Sequence, residues 1–155
     1  MKKKVYVLAL ISLLVDQVSK LLAYFYLDNL VLIPNFLNFT YVENTGAAWG
    51  ILDNNRIILV CVSVITLLFI SKYLKSENNI SKLSTVSYGI LIGGIFGNLL
   101  DRLFRGYVID FLNFNIFGYN FPVFNIADTL IVVGVILMTI EVIGVSFNGN
   151  NSKKK

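Results

Sequence analysis

The chain has 155 residues, of which 56% are hydrophobic and only 14% are charged, with a formal net charge of +4. A soluble domain of this length normally carries about a quarter charged residues, so the composition excludes an ordinary soluble protein and favours a membrane protein. There is no His and a single Cys, which excludes His-based nucleophiles, His-ligated zinc and an internal disulfide. We interpret Cys61, inside an apolar stretch, as a small packing residue.

Four long apolar stretches predict four transmembrane helices, each long enough to cross a hydrocarbon core of about 30 Å at about 1.5 Å per residue. The first stretch imitates a secretory signal peptide, but Asp16 and Lys20 interrupt it and no small-residue cleavage site follows, so we predict that it is retained. The whole chain, residues 1–155, is predicted to form a single membrane domain. The predicted spans are residues 5–27, 57–74, 83–104 and 124–147.

The basic residues predict the orientation of these spans. Lysines cluster in the N-terminal tail, around Lys72–Lys82 and in Lys153–Lys155, whereas the two other connectors hold only Arg56 and Arg105 at their ends. Cytoplasmic flanks of membrane helices carry an excess of Lys and Arg. Both termini and the middle connector are therefore predicted to be cytoplasmic, and residues 28–55 and 105–123 to be extracytoplasmic. Because the lysines flank apolar segments, they indicate topology rather than nucleic-acid binding.

The two outer connectors have the composition of short strands. Residues 36–43 are rich in β-branched and aromatic side chains, and residues 111–120 partly alternate and contain a turn at Gly118. Their aromatic residues suit a membrane–water interface. We predict a small β-structured cap on the outer end of the helices. The alternative is a pair of mobile aromatic loops that dip into the headgroup region.

Ionisable residues inside a span cost roughly 2.5–3.5 kcal/mol each on an insertion scale, so each needs a reason. Asp16 and Lys20 are four residues apart and share one helix face, where pairing would make them tolerable. Their spacing leaves open whether they form a structural ion pair or one wall of a site.

The third span carries glycines at helical spacing and ends in polar residues. Gly89, Gly93 and Gly97 form a smooth stripe that allows a neighbouring backbone to approach closely. Asn98 and Arg102 follow, four residues apart, with Asp101 between them. The pattern predicts polar groups that converge at the outer rim of a tightly packed helix.

Two aspartates are predicted at similar depth near the outer interface. Asp110 lies between Ile109 and Phe111, and Asp128 lies about one turn into the fourth span, three residues after Asn125. Two carboxylates in an apolar site cannot both ionise cheaply, so one can donate a proton while the other activates water. The alternatives are a carboxylate stabilised by a helix N-terminus for Asp128 and a polar loop residue for Asp110. Spacing alone leaves these open.

Five segments together carry a resemblance to a known family. They are DQVSK at 16–20, NTGAAWG at 44–50, GGIFGNLLDR at 93–102, GYVIDF at 106–111 and FNIAD at 124–128. In this order they resemble the lipoprotein signal peptidase (signal peptidase II) family of aspartic proteases, with Trp49 where Phe is more usual.

The resemblance implies an integral membrane protein, mainly α, with four transmembrane helices and an extracytoplasmic β-cradle. It implies an aspartic endopeptidase of the bacterial inner membrane that cleaves diacylglyceryl-modified prolipoproteins just before the lipidated Cys, with its active site near the extracytoplasmic face. Its partners would be these prolipoproteins and membrane lipid, with no nucleic acid, no metal and no cofactor. Asp110 and Asp128 would be catalytic. The residues lining the site would be Asp16, Lys20, Asn44, Gly46, Asn98, Arg102 and Asn125.

Two other classes of protein compete with a protease. A small proton- or ion-coupled transporter would place carboxylates at several depths across the bilayer, whereas the acids here cluster at the outer face apart from Asp16 and Glu141. A membrane scaffold could use the glycine stripe for association, but it gives no reason for two aspartates at equal depth.

Overall fold

The computed structural model describes the backbone of residues 1–152 and the side chains through residue 144, so the predicted tail Lys153–Lys155 lies outside the described residues. Long helices alternate with a small sheet. In chain order the elements are α1 (Lys2–Tyr26), β1 (Asn29–Ile33), β2 (Leu37–Asn44), a 3-10 turn (Ala48–Gly50), α2 (Arg56–Ser76), α3 (Lys82–Phe104), β3 (Val108–Ile116), β4 (Tyr119–Asn120) and α4 (Ile126–Ser152).

All four helices are long and apolar enough to cross a membrane, and the chain is an integral membrane protein as predicted. The helices begin and end within a few residues of the predicted spans. In α3, 67% of the most apolar stretch is buried inside the protein, against 28%, 17% and 11% in α1, α2 and α4. The third helix is therefore the centre of the bundle, and the apolar faces of the others are left for lipid.

The glycine stripe explains how α3 takes this central place. A Cβ on Gly93 of the stripe would overlap Ser12 of α1, and a Cβ on Gly94, the residue beside it, would lie 2.6 Å from the backbone oxygen of Ala127 in α4. Real Cβ atoms do not come this close, so only glycine lets both neighbouring backbones approach. The predicted packing role of the stripe is confirmed.

The second helix packs less tightly, and the prediction for Cys61 was wrong. The thiol is exposed on the surface of α2 instead of packing between helices. The prediction rested on the apolar residues around Cys61 in the sequence. Only 17% of the most apolar stretch of α2 is buried inside the protein, so most of these side chains face outward.

One antiparallel sheet, in the order β1-β2-β3-β4, covers one end of the bundle, which we call the sheet end. Buried Ala23 of α1 packs with Ile109 and Phe111 of β3, which fixes the sheet to the helices. The turn between β3 and β4 has positive φ at Phe117 and Gly118, as two-residue hairpins of type I′ require. The predicted β-structured cap is confirmed, and the alternative of two loops is wrong.

Two short connections bring β3 to the ends of α3 and α4. Gly106, with φ of +92°, ends α3 in the left-handed conformation common after helix C-termini, and β3 begins two residues later. At the other side, the backbone of Phe124 pairs with Leu112 of β3 just before α4 starts. The strand that contains Asp110 therefore runs beside the first turn of α4.

Candidate active site

Asp110 lies in the buried half of β3, with only 2% of its surface exposed. It stands opposite Val42 in the pairing of β2 with β3, so Asn44, two residues along β2, shares its face of the sheet. The Asn44 Nδ2 atom donates to Asp110 Oδ2 at 2.7 Å, and Asn125 Nδ2 donates to Oδ1 at 2.6 Å. Both oxygens of this carboxyl group are held by amide donors.

Asp128 lies in the first turn of α4 and takes part in a capping box. The Asn125 side chain accepts from the backbone N–H of Asp128 at 2.9 Å, and Asp128 Oδ2 accepts from the backbone N–H of Asn125 at 3.2 Å. The other oxygen, Oδ1, accepts from Asn98 Nδ2 of α3 at 2.7 Å. Asp128 therefore lies at a helix N-terminus, as the alternative interpretation required, and its carboxylate also lines a cavity.

Asn125 bridges the two aspartates. Its side-chain N–H group donates to Asp110, while its backbone N–H donates to Asp128. Both carboxyl groups line the same cavity, which has a volume of about 630 Å³. The negative charge of Asp128 acts on Asp110, so the two groups are electrostatically coupled. The structure brings together the two acids that the sequence predicted.

The cavity has a polar end and an apolar wall. Its polar groups converge where Asn44, Asn98 and Arg102 surround the two aspartates, and its apolar side continues along α4 from Thr129 to Val133. A small number of polar groups in a mostly apolar cavity is typical of ligand sites. The remaining lining residues are Ala47, Ala48, Trp49, Val108, Phe114, Phe121, Val123, Phe124, Ile131 and Val132.

Burial, followed by the negative charge of Asp128, raises the pKa of Asp110 from 3.8 to about 7. The hydrogen bonds from Asn44 and Asn125 and the positive charge of Lys20 act in the opposite direction. A carboxyl group with a pKa near 7 can exist in either form at neutral pH, as an acid–base catalyst requires.

The raised pKa of Asp110 predicts a pH dependence of stability. Between its ordinary pKa of 3.8 and about 7, the folded state binds a proton that the unfolded state has lost, so the free energy of unfolding falls as pH rises through this window. We expect the thermal midpoint of the protein in detergent to decrease as the pH is raised from about 4 to about 7, and to decrease less in Asp110→Asn. An undiminished slope in that variant would contradict the assignment to Asp110.

A buried ion cluster lies behind the cavity wall. Lys20 Nζ lies 2.9 Å from Asp16 Oδ2 and 2.9 Å from Asp101 Oδ2, and all three side chains are fully buried. Arg105 pairs with the other oxygen of Asp101. Asp16 and Lys20 were predicted to line the site, and the structure places them one layer behind it. Within the described part of the chain, no group of acidic or thiol side chains could hold a metal ion.

The loop before α2 is tied to the site through Arg102. The Nη2 atom of Arg102 donates to the backbone oxygen of Gly46 at 2.7 Å, and Asn44 Oδ1 accepts from the Gly46 N–H at 2.9 Å. Trp49 is 63% exposed, and its indole N–H donates to the Tyr119 hydroxyl at 3.3 Å. Asn44 and Arg102 line the cavity as predicted. Gly46, which was predicted to line it too, is buried behind them and is held by their two hydrogen bonds.

Some residues around the site were missed in the sequence. Asp101 was noted at the helix end but given no role, and Gln17, which donates to Asp16, Asp101 and the Gly97 carbonyl, was not singled out. The available signal was Lys20 itself, because a buried ammonium group needs three acceptors and Asp16 supplies one. Glu141, left without a catalytic role, accepts from Ser84 at 2.6 Å, far along α4 from Asp128.

Four membrane helices, a small sheet and two electrostatically coupled aspartates in one cavity are the arrangement expected of a membrane-spanning aspartic peptidase. The sequence model of the family described as signal peptidase (SPase) II matches residues 8–144, and the chain belongs to the signal peptidase II family. Two solved structures, each described as a bacterial membrane enzyme determined by the in meso method, are similar to the chain. Each is 35% identical in sequence. The match to the structure at 2.3 Å resolution covers 93% of this chain and 90% of that chain, with a TM-score of 0.86. The match to the structure at 1.9 Å resolution covers 89% of this chain and 91% of that chain, with a TM-score of 0.80.

Family membership makes the chain an aspartic-type protease and supports a lipoprotein signal peptidase role that acts on prolipoproteins. A transporter and a scaffold, the two competing classes considered from the sequence, have no comparable support.

Proposed function

We propose that the protein removes the signal peptide from diacylglyceryl-modified prolipoproteins by cleaving the peptide bond just before the lipidated Cys, with Asp110 and Asp128 as the catalytic pair. The observation that carries the proposal is the position of the two carboxyl groups, bridged by Asn125, at the polar end of one mostly apolar cavity. Asn44, Asn98, Arg102 and Gly46 supply the surrounding polar contacts.

The chemistry needs one ionised and one protonated carboxyl group. The ionised group takes a proton from a water molecule as the oxygen of that water bonds to the scissile carbonyl carbon. The protonated group gives its proton to the carbonyl oxygen. The tetrahedral intermediate then collapses as its C–N bond breaks, and one of its two hydroxyl groups gives its proton to the carboxylate that had protonated the carbonyl oxygen. The amine of the Cys takes the proton that the other carboxyl group had accepted from water. Each carboxyl group is returned to a state from which the cycle can repeat, and one water is consumed.

The apolar wall of the cavity supports a lipid-bearing substrate. Thr129 to Val133 of α4 continue from the aspartates into the membrane-spanning part of the helix, and the side chains of Val132 and Val133 are exposed. A signal peptide and the acyl chains beside its cleavage site are apolar, so they can remain in a lipid-like environment while the scissile bond reaches the carboxyl groups. The site would lie near the extracytoplasmic face of a bacterial inner membrane, as the lysine pattern predicts.

A pair of matched substrates tests this proposal. We expect the purified protein in detergent to cleave a prolipoprotein peptide that carries diacylglyceryl-Cys, with mass spectrometry placing the cut just before that residue. The same peptide with an unmodified Cys should be cleaved much more slowly, because it lacks the acyl chains that hold it in the apolar cavity. The double variant Asp110→Asn/Asp128→Asn controls for contaminating proteases. Equal cleavage of both peptides, or a cut elsewhere, would refute the proposed substrate.

A further inference from the structure

Lys20 is a fully buried cation whose ammonium group contacts three oxygens. Two belong to Asp16 and Asp101, each at 2.9 Å, and the third is Asn98 Oδ1 at 2.8 Å. A lysine ammonium group has three N–H donors, so all are used. One carboxylate would suffice for a simple ion pair. The third contact is with an amide whose other end binds Asp128.

The contact with Lys20 dictates the orientation of the Asn98 amide. Because Lys20 can only donate, the amide oxygen must face it, and Asn125 Nδ2 donates to the same oxygen at 3.2 Å. The Asn98 NH2 group must then point the other way, where it donates to Asp128 Oδ1 at 2.7 Å. In a reversed amide, N–H groups would meet N–H groups and an oxygen would face a carboxylate.

The two carboxylates that hold Lys20 also hold the backbone next to each aspartate of the pair. Asp16 Oδ1 accepts from the N–H of Ala127, the residue before Asp128, at 2.8 Å. Asp101 Oδ2 lies 3.4 Å from the N–H of Ile109, the residue before Asp110. Lys20 thus lies at the junction of contacts that reach both aspartates, although its side chain does not line the cavity.

We propose that Lys20 is a positioning residue that orients the Asn98 carboxamide towards Asp128 and thereby sets the geometry and charge of the aspartate pair. This inference rests on the proposed function of Asp110 and Asp128. The other charged groups around the pair are Asp16 and Lys20 of α1, Asp101 and Arg102 of α3, and Arg105 just after α3.

The positive charge of Lys20 lowers the pKa of Asp110, so its removal should be visible in the pH–rate profile. The test uses the double variant Asp16→Asn/Lys20→Met, which removes one charge of each sign and keeps an oxygen at position 16 for the Ala127 N–H. We expect kcat for the lipidated peptide to fall about a hundredfold with little change in KM, since a small misplacement of catalytic groups has an effect of this order. The limb of the profile that follows Asp110 should move to higher pH.

Two controls separate positioning from mere folding. Asp28→Asn, which removes an exposed acid just after α1, should keep the wild-type kcat and pH profile. A second neutral pair, Lys20→Met/Asp101→Asn, should reproduce the loss with a different carboxylate intact. Thermal midpoints identify any variant that unfolds. If both neutral pairs are folded and have the wild-type kcat and pH profile, the inference is wrong.

A mutant cycle tests the route through Asn98. In an Asn98→Leu background, Asp16→Asn/Lys20→Met should cause little further loss, because the amide that Lys20 orients is already absent. If the loss of kcat in the combined variant equals the product of the two separate losses, Lys20 does not act through Asn98. Failure of the proposed function gives a different result: Asp110→Asn and Asp128→Asn would then cleave normally, whereas failure of this inference alone leaves both of those variants inactive.

Discussion

Asp110→Asn and Asp128→Asn are each expected to lower kcat for the lipidated peptide by about 10⁴-fold or more, as removal of one member of a cooperating catalytic group does. An amide at either position can neither take a proton from water nor give one to the carbonyl oxygen. The double variant should be scarcely worse than either single variant, because a pair that shares one proton fails when one member is lost. Single-turnover cleavage in detergent measures all three.

The size of the change supports a catalytic rather than a structural cause. Asn is close in shape to Asp, so substrate binding should change little, and KM or a direct binding measurement should stay near the wild-type value. Asp28→Asn removes an exposed acid just after α1 and is the matched control, with expected wild-type activity. If either site variant processes the peptide at the wild-type rate, Asp110 and Asp128 are not the catalytic pair.

The helices and the two aspartates were predictable because their signals are local. A stretch of twenty apolar residues specifies a membrane span on its own, and Asn125 and Asp128 have the spacing of a capping box. The start of β3 was harder to predict. Val108 and Ile109 precede Asp110 in a strand, but so short a β-branched run next to a helix end does not distinguish a strand from a loop.

The ion cluster could be predicted only in part. The spacing of Asp16 and Lys20 places them on one helix face and predicts that they pair, but it does not predict which part of the protein that face contacts. Their position behind the cavity depends on Asp101, which comes from another helix and is brought into contact by the close approach of α1 to α3. Such a contact is specified by tertiary packing, and no local pattern contains it. The register shifts of the sheet near Val31 and Phe39 are likewise specified by tertiary packing and not by a local sequence pattern.

Gly97→Ala is expected to destabilise the protein and to abolish most of its activity, although the change adds a single methyl group. In an exposed helix, Ala is favoured over Gly by about 1 kcal/mol. Here a Cβ would overlap Asp16 Oδ2, and it would lie 3.4 Å from the Cβ of Ala127. Overpacking typically costs about 1–3 kcal/mol. Disruption of a buried ion pair adds about 3–5 kcal/mol, so the clash outweighs the helix preference.

Activity should fall together with stability, because the group that must move is the one that holds the site. Asp16 binds both Lys20 and the N–H of Ala127 at the start of α4, so its displacement disturbs the residue next to Asp128. Gly144→Ala is the matched control: nothing lies within 4 Å of its Cβ, and its thermal midpoint should equal or exceed that of the wild type. Thermal unfolding in detergent and cleavage of the lipidated peptide measure the two effects. If Gly97→Ala were as stable and active as Gly144→Ala, α1 and α3 could separate without cost, and the buried cluster would not hold the aspartates in place.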